Sequence, residues 1–190
     1  MSSTHPNLLT EREYLELERK SEIRSEYIAG RIYAMSGASR RHNLIAGNLY
    51  REISSALRDR ACEAYMSDMR VKVAATGMYT YPDIVTVCGE PQFEDAQVDT
   101  LLNPTVIVEV LSQSTEAYDR GEKFAHYRRL DSLREYVLVS QDKVRIERYE
   151  RDTDQWVLSE VSDPHDTLHL SAIGCSIELA AIYEKVDFTA

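Results

Sequence analysis

Apolar residues return every three or four positions through residues 40–60, where Leu44, Ile45, Leu49, Ile53 and Leu57 share one face, and this spacing predicts a long amphipathic helix. Upstream, Thr10 followed by Glu13 has the form of a capping box. Residues 10–21, with Tyr14, Leu15 and Leu17 among charged neighbours, therefore read as a first helix. Between the two, residues 25–36 (SEYIAGRIYAMS) have the tyrosine, isoleucine and glycine content of a hairpin, with Ala29-Gly30 at its turn. From Ala64 onward the period drops to two. Residues 65–74 and 79–88 are β-like runs on either side of Gly77, and together they predict a second hairpin. Residues 105–112 (TVIVEVLS) are apolar and β-branched on both faces, as in a central buried strand. A helix from about 116 to 130 and an apolar strand at 135–140 (EYVLVS) follow, and the order strand, helix, strand implies a crossover and a partly parallel sheet. Residues 143–150 and 156–161 predict a further hairpin, and a short helix near 179–183 closes the pattern.

Length and composition set the frame for these elements. A chain of 190 residues is near the usual single-domain size, so one domain over 1–190 with one core is expected. Hydrophobic residues at 43% and charged residues at 28% are a globular balance that argues against extended disorder. No run of 18 apolar residues occurs, and residues 1–10 are polar with Pro6, so neither a membrane span nor a secretory signal is expected and a cytoplasmic protein fits. Cys62, Cys88 and Cys175 are widely spaced with no C-x-x-C pair, and reduced, mostly buried thiols are the expectation.

Chemistry enters with Glu109, which interrupts the otherwise apolar run 106–111. A carboxylate there is costly unless something positive compensates it, either an arginine in a buried ion pair or a metal ion. Asp83, in Tyr81-Pro82-Asp83, sits where a proline lets a strand begin; it reads either as a turn aspartate or as a second carboxylate at a strand mouth. Two carboxylates on adjacent strands can converge on one hard cation, which prefers oxygen ligands. Such a cation lowers the pKa of bound water and neutralises charge on a phosphoryl oxygen, both of which phosphodiester hydrolysis needs. Asp119, Lys123 and Tyr127 recur every four residues on the helix that follows, so Lys123 is either a base near the attacking water or half of a surface ion pair with Asp119. No G-x-S-x-G elbow, glycine-rich phosphate loop or H-E-x-x-H is present, and His165 and His169 flank a turn unsuited to zinc.

The segments YPD at 81–83, IVEVLS at 107–112 and STEAYDRGEKF at 114–124 resemble the Uma-type restriction endonuclease family, a branch of the PD-(D/E)XK nuclease superfamily. SEYIAG at 25–30, SRRHN at 39–43 and REYVLV at 134–139 extend the likeness over most of the chain. The resemblance implies a mixed α/β (α+β) fold: a restriction-endonuclease-like core whose mixed central sheet is flanked by helices, with an N-terminal and a C-terminal hairpin. It also implies Mg2+, or Mn2+ in its place, held by Asp83 and Glu109 with the Val110 carbonyl as third ligand, and DNA as substrate. Glu26 matches the glutamate that supplements the metal shell in related nucleases. The superfamily lysine two residues after the glutamate is Leu111 here, so Lys123 is expected to serve from the helix, or to pair with Tyr127 like the helical Gln-x-x-x-Tyr element of some relatives. His42, at the start of the long helix, reads either as a phosphate contact or as a surface or capping histidine, and Arg41 and Tyr127 are the other candidate phosphate contacts. A homodimer is expected by analogy, since two strands need two sites.

The formal net charge of −10 opposes this reading, because phosphate binding relies on clustered cations. Arginines do cluster, at Arg40, Arg41, Arg51, Arg58 and Arg60 and again at Arg128 and Arg129, and residues 90–99 gather acids in a loop that is expected to lie off any groove. A degenerate nuclease fold that binds nucleic acid or protein without cleaving is the competing expectation.

Overall fold

Thr10 and Glu13 form the expected capping box: Thr10 Oγ1 accepts from the Glu13 amide at 3.2 Å, and the Glu13 carboxylate accepts from the Thr10 amide at 2.8 Å. This starts α1 (Glu11–Glu18) in a computed structural model that describes residues 8–189; the polar stretch 1–7 lies outside the described residues. The first hairpin, β1 (Ser25–Ile28) and β2 (Arg31–Ala34), turns at Ala29 and Gly30, both at positive φ. Two such residues give the turn whose twist matches that of the flanking strands. Ser39 caps α2 (Arg40–Ala56), which buries Ile45, Ala46, Leu49 and Ile53. It ends four residues before the expected limit, and Arg60 is instead spent on the carbonyls of Ile173 and Gly174.

The two period-two runs do not form one long hairpin. Each is cut where the chain passes between sheets, giving β3 (Cys62–Met66), β4 (Arg70–Val73), β5 (Met78–Thr80) and β6 (Ile84–Cys88). Only β4 and β5 close about Gly77, while β3 pairs β6 elsewhere. Pro82 supplies one reason, since it has no amide to continue a ladder. With β7 (Thr100–Leu101), a five-stranded sheet has the order β2-β1-β5-β4-β7, and its β4–β7 pair is parallel.

The second sheet is built on β8 (Val106–Leu111), the central strand expected from its apolar run. β9 (Glu135–Ser140) pairs parallel to it, and β10 (Ile146–Asp152) with β11 (Gln155–Val161) extends the sheet antiparallel as the C-terminal hairpin. The order is β11-β10-β9-β8-β6-β3. The fold is thus mixed α+β with two mixed sheets and few helices, rather than one central sheet flanked by helices. Val106, Val108 and Val110 face one core with α2, the hairpin β12 (Thr167–Leu170) and β13 (Cys175–Glu178), and α5 (Leu179–Ile182). Ile107 and Leu111 face another core toward β4 and the crossover helix.

That crossover helix is not one α-helix over 116–130. It runs α3 (Glu116–Tyr118), a π turn over Asp119–Lys123, then α4 (Phe124–Tyr127). The wider turn sets side chains four apart more nearly in line, and both ends of it, Asp119 and Lys123, are buried. Cys62 and Cys88, expected as thiols, stand opposite each other in the β3–β6 register with Cα atoms 4.0 Å apart and form a disulfide; Cys175 is a buried free thiol. Spacing along the chain carries no trace of such a cross-strand pair. Among the described residues, no helix is long and apolar enough to cross a membrane.

Candidate active site

β6 and β8 pair Ile84 with Val108, so the register carried one residue further sets Asp83 against Glu109. Asp83 is fixed there because its Oδ2 accepts the Val110 amide at 2.7 Å. Two distant segments are thereby tied at one strand mouth, opening into a cleft of about 710 Å3. Glu26 from β1, His42 from α2, and Asp119 and Lys123 from the π turn also line it.

Lys123 lies 2.8 Å from Glu109 Oε1, 3.1 Å from Glu26 and 3.7 Å from Asp119. Its side chain is only 7% exposed. Burial opposes the charged amine, but Glu109, Glu26 and Asp119 outweigh it and hold Lys123 well above the usual lysine range. The three carboxylates thus favour the charged amine over the neutral one. Glu109 and Leu111 point to the same strand face, and the π turn packs over that face, so the ammonium reaches Glu109 from the helix although the strand offers only leucine. Burial raises Glu109 above the carboxylate range, with the nearby charges of Asp119 and Asp83 adding to it and Lys123 opposing. Asp119 is raised by burial as well.

Tyr127, expected as a phosphate contact, is fully buried and outside the cleft wall. Its hydroxyl donates to Glu109 Oε1 at 2.9 Å and lies 3.3 Å from the Thr80 hydroxyl. Thr80 in turn donates to Glu26 in a short hydrogen bond. His42 Nε2 lies 3.2 Å from Asp83 Oδ2 and also engages the Val110 backbone. Burial lowers its pKa, yet these partners raise it above the ordinary histidine value on balance. Arg41 does not wall the cleft; it lies 3.8 Å from Asp142.

The walls carry Glu26, Asp83, Glu109, Asp119 and Glu122 against Lys123 and His42, with no arginine among the described residues. Several of the clustered arginines make contacts elsewhere, Arg51 with Glu52 and Glu184, Arg60 with the carbonyls of Ile173 and Gly174, and Arg128 over the Phe124 ring, while Arg40, Arg58 and Arg129 are exposed. The acidic loop is likewise neutralised away from the cleft: Asp95 and Asp99 pair with Arg19, and Glu94 with Lys72. Asp119 and Tyr118 are cleft residues that sequence reasoning left out of the site. Asp119 could have been found from its shared face with Lys123, whereas nothing in the chain marks Tyr118, whose buried hydroxyl has no hydrogen-bond partner.

Among the described residues no group of three or more His, Cys, Asp or Glu side chains is arranged as a metal cage. The donor set nevertheless fits a hard cation that keeps several waters. Protein donors converge on Asp83 Oδ2 and Glu109 Oε1, and no protein hydrogen bond or ion pair is made to Asp83 Oδ1 or Glu109 Oε2 among the described residues.

Comparison with known proteins places this geometry in context. Residues 12–181 match the Uma2 family model, described as "Putative restriction endonuclease". Two Synechocystis proteins, each named as uncharacterized, are similar along nearly their whole length: sll1609 is 38% identical over 86% of this chain and 93% of its own, and slr1290 is 37% identical over 98% and 97%. A crystal structure titled as a putative nuclease belonging to DUF820, from Anabaena variabilis, superposes with a TM-score of 0.75 over 92% of this chain and 97% of its own, at 17% identity, which speaks for the shared fold alone. With the family model covering most of its length, the chain belongs to the Uma2 family.

Proposed function

We propose that the chain is a magnesium-dependent DNA endonuclease, with manganese able to replace magnesium, built on a restriction-endonuclease-like core in one domain over residues 1–190. One observation carries the proposal: Asp83 bonded to the Val110 amide beside Glu109, with the buried Lys123 ammonium on the far side of Glu109. Asp83, Glu109 and the Val110 carbonyl would hold the cation. When bound, it would supply an activated water and neutralise charge on a phosphoryl oxygen.

The chain's own groups do the rest. Tyr127 and Lys123 fix the rotamer of Glu109 from two sides. Glu26 and Asp119 hold Lys123 at the cleft, where its ammonium faces the charge that builds on a phosphate in the transition state. His42, on the cleft wall 3.2 Å from Asp83 Oδ2, would contact the phosphate beside the cation. An acidic cleft repels a phosphodiester, so a cation must enter before the substrate does. Supercoiled plasmid should be nicked by the parent protein with Mg2+ or Mn2+, and Asp83→Asn or Glu109→Gln should slow nicking by about a hundredfold or more. Nicking unaffected by either change would remove these residues from the chemistry.

The second reading is a binding module without catalysis. It is favoured by the way His42 and Lys123 already satisfy one carboxylate each. Metal-independent retention of DNA or protein by all variants alike would select it. A homodimer and a cytoplasmic location belong to the proposal as well; in the cytoplasm the reducing thiol pool would compete with the Cys62–Cys88 bond.

A further inference from the structure

The reacting groups lie deep. Glu109, Asp119 and Lys123 are each no more than 6% exposed, at the base of a cleft whose 710 Å3 is in the range of about 300–1,000 Å3 that encloses a ligand of nucleotide size. In a duplex the base faces are stacked on their neighbours, whereas an unpaired strand leaves them free to stack on a protein ring.

The cleft also has an apolar side that the acid cluster does not use. Tyr33 on β2 is 49% exposed and Met66 on β3 is 41% exposed, and both line the cleft. Tyr33 belongs to neither the packed cores nor the Tyr14–Tyr27–Tyr79 ring cluster, and β2 is the edge strand of its sheet with every residue exposed. A half-exposed ring beside a phosphate-handling site is the arrangement on which an unpaired base stacks.

Resting on the endonuclease reading above, we infer that the substrate enters the cleft as an unpaired nucleic-acid strand, one base stacking on Tyr33 while its phosphate reaches Asp83 and Glu109. Fluorescence anisotropy tests this with a fluorescein-labelled oligothymidylate and a blunt duplex of equal length, in calcium to hold cleavage off. The single strand should bind the parent protein more tightly than the duplex. Tyr33→Ala should weaken strand binding about tenfold, on the scale of one lost stacking contact, and Tyr33→Trp should restore it. Met66→Glu, a change at the other exposed apolar position lining the cleft, should weaken it too. Equal affinity for the duplex, or strand binding indifferent to both Tyr33→Ala and Met66→Glu, overturns the inference. The two readings fail separately: metal-dependent nicking of intact duplex that ignores Tyr33→Ala keeps the endonuclease and removes the unpaired strand, whereas Tyr33-dependent strand binding without cleavage of any substrate does the reverse.

Discussion

At the scale of single residues, Lys123 holds the site together by charge. Three carboxylates surround its buried ammonium, and removing one partner of a buried ion cluster leaves uncompensated charge that typically costs about 3–5 kcal/mol. Lys123→Met should therefore destabilise the metal-free protein by about that amount once the pH is high enough to ionise Glu109, which burial raises to about 8, read from urea unfolding above that pH. Adding Glu109→Gln should return a good part of it, because the loss comes from Glu109 left facing Asp119 and Glu26 without a cation. Additive effects of the two substitutions would show that Lys123 stabilises through packing of its aliphatic stem instead. Sequence reading reached Glu109 and Asp83 for a physical reason: a charge inside an apolar strand and an acid after a proline each break a local pattern. It could not reach the partners of Tyr127 or the protonation of Lys123, because both depend on which faces are buried against each other in space.

Among the elements, α1 is latched over the five-stranded sheet by a run of ion pairs. Arg19 bonds Asp95 and Asp99, Asp99 meets the buried Arg70, and Arg70 bonds the Tyr81 hydroxyl, which donates to Glu18 on α1. This chain of contacts anchors the Tyr81-Pro82-Asp83 turn and so fixes where Asp83 starts. Hydrogen bonds from Arg19 and the nearby Arg70 guanidinium hold Asp99 well below the usual carboxylate range, and Arg19 lowers Asp95 too. A carboxyl depressed in the folded state contributes stability that is complete above its unfolded pKa of about 3.9 and drains away as the pH falls below it. The urea midpoint should thus drop between about pH 4 and pH 2, and Asp99→Asn should flatten that part of the profile. An unchanged acid slope in the variant would place the acid sensitivity elsewhere. Element types were legible because the apolar spacing of three and four in α2 and the unbroken apolar runs of β8 and β9 are strong signals. The π turn and the sheet changes at 67–69 and 81–83 were not: periodicity reports which face is apolar, and both faces of those runs find an apolar neighbour in different layers.

For the molecule as a whole, the two sheets part at the mouth of β6 and β8, and the cleft occupies that opening. The Cys62–Cys88 bond staples β3, the edge of the six-stranded sheet, to β6, whose other end carries Asp83. Thiol titration of the unfolded, unreduced protein should find one reactive cysteine, Cys175, and three after reduction. Three before reduction would leave β3 held by its ladder alone. Net charge bears on the account at this scale too. With no arginine on the cleft wall among the described residues and that wall acidic, attraction for a polyanion inside the cleft is assigned here to a bound cation, so the account stands or falls with that cation. Manganese binding to the purified protein, followed by the loss of free Mn2+ signal in electron paramagnetic resonance, measures it without requiring a substrate. The parent protein should take up Mn2+ at one site that Mg2+ displaces, and Asp83→Asn and Glu109→Gln should each abolish the uptake while folding is retained. Uptake that survives both substitutions, or a folded parent protein that binds no Mn2+ at all, would contradict the account.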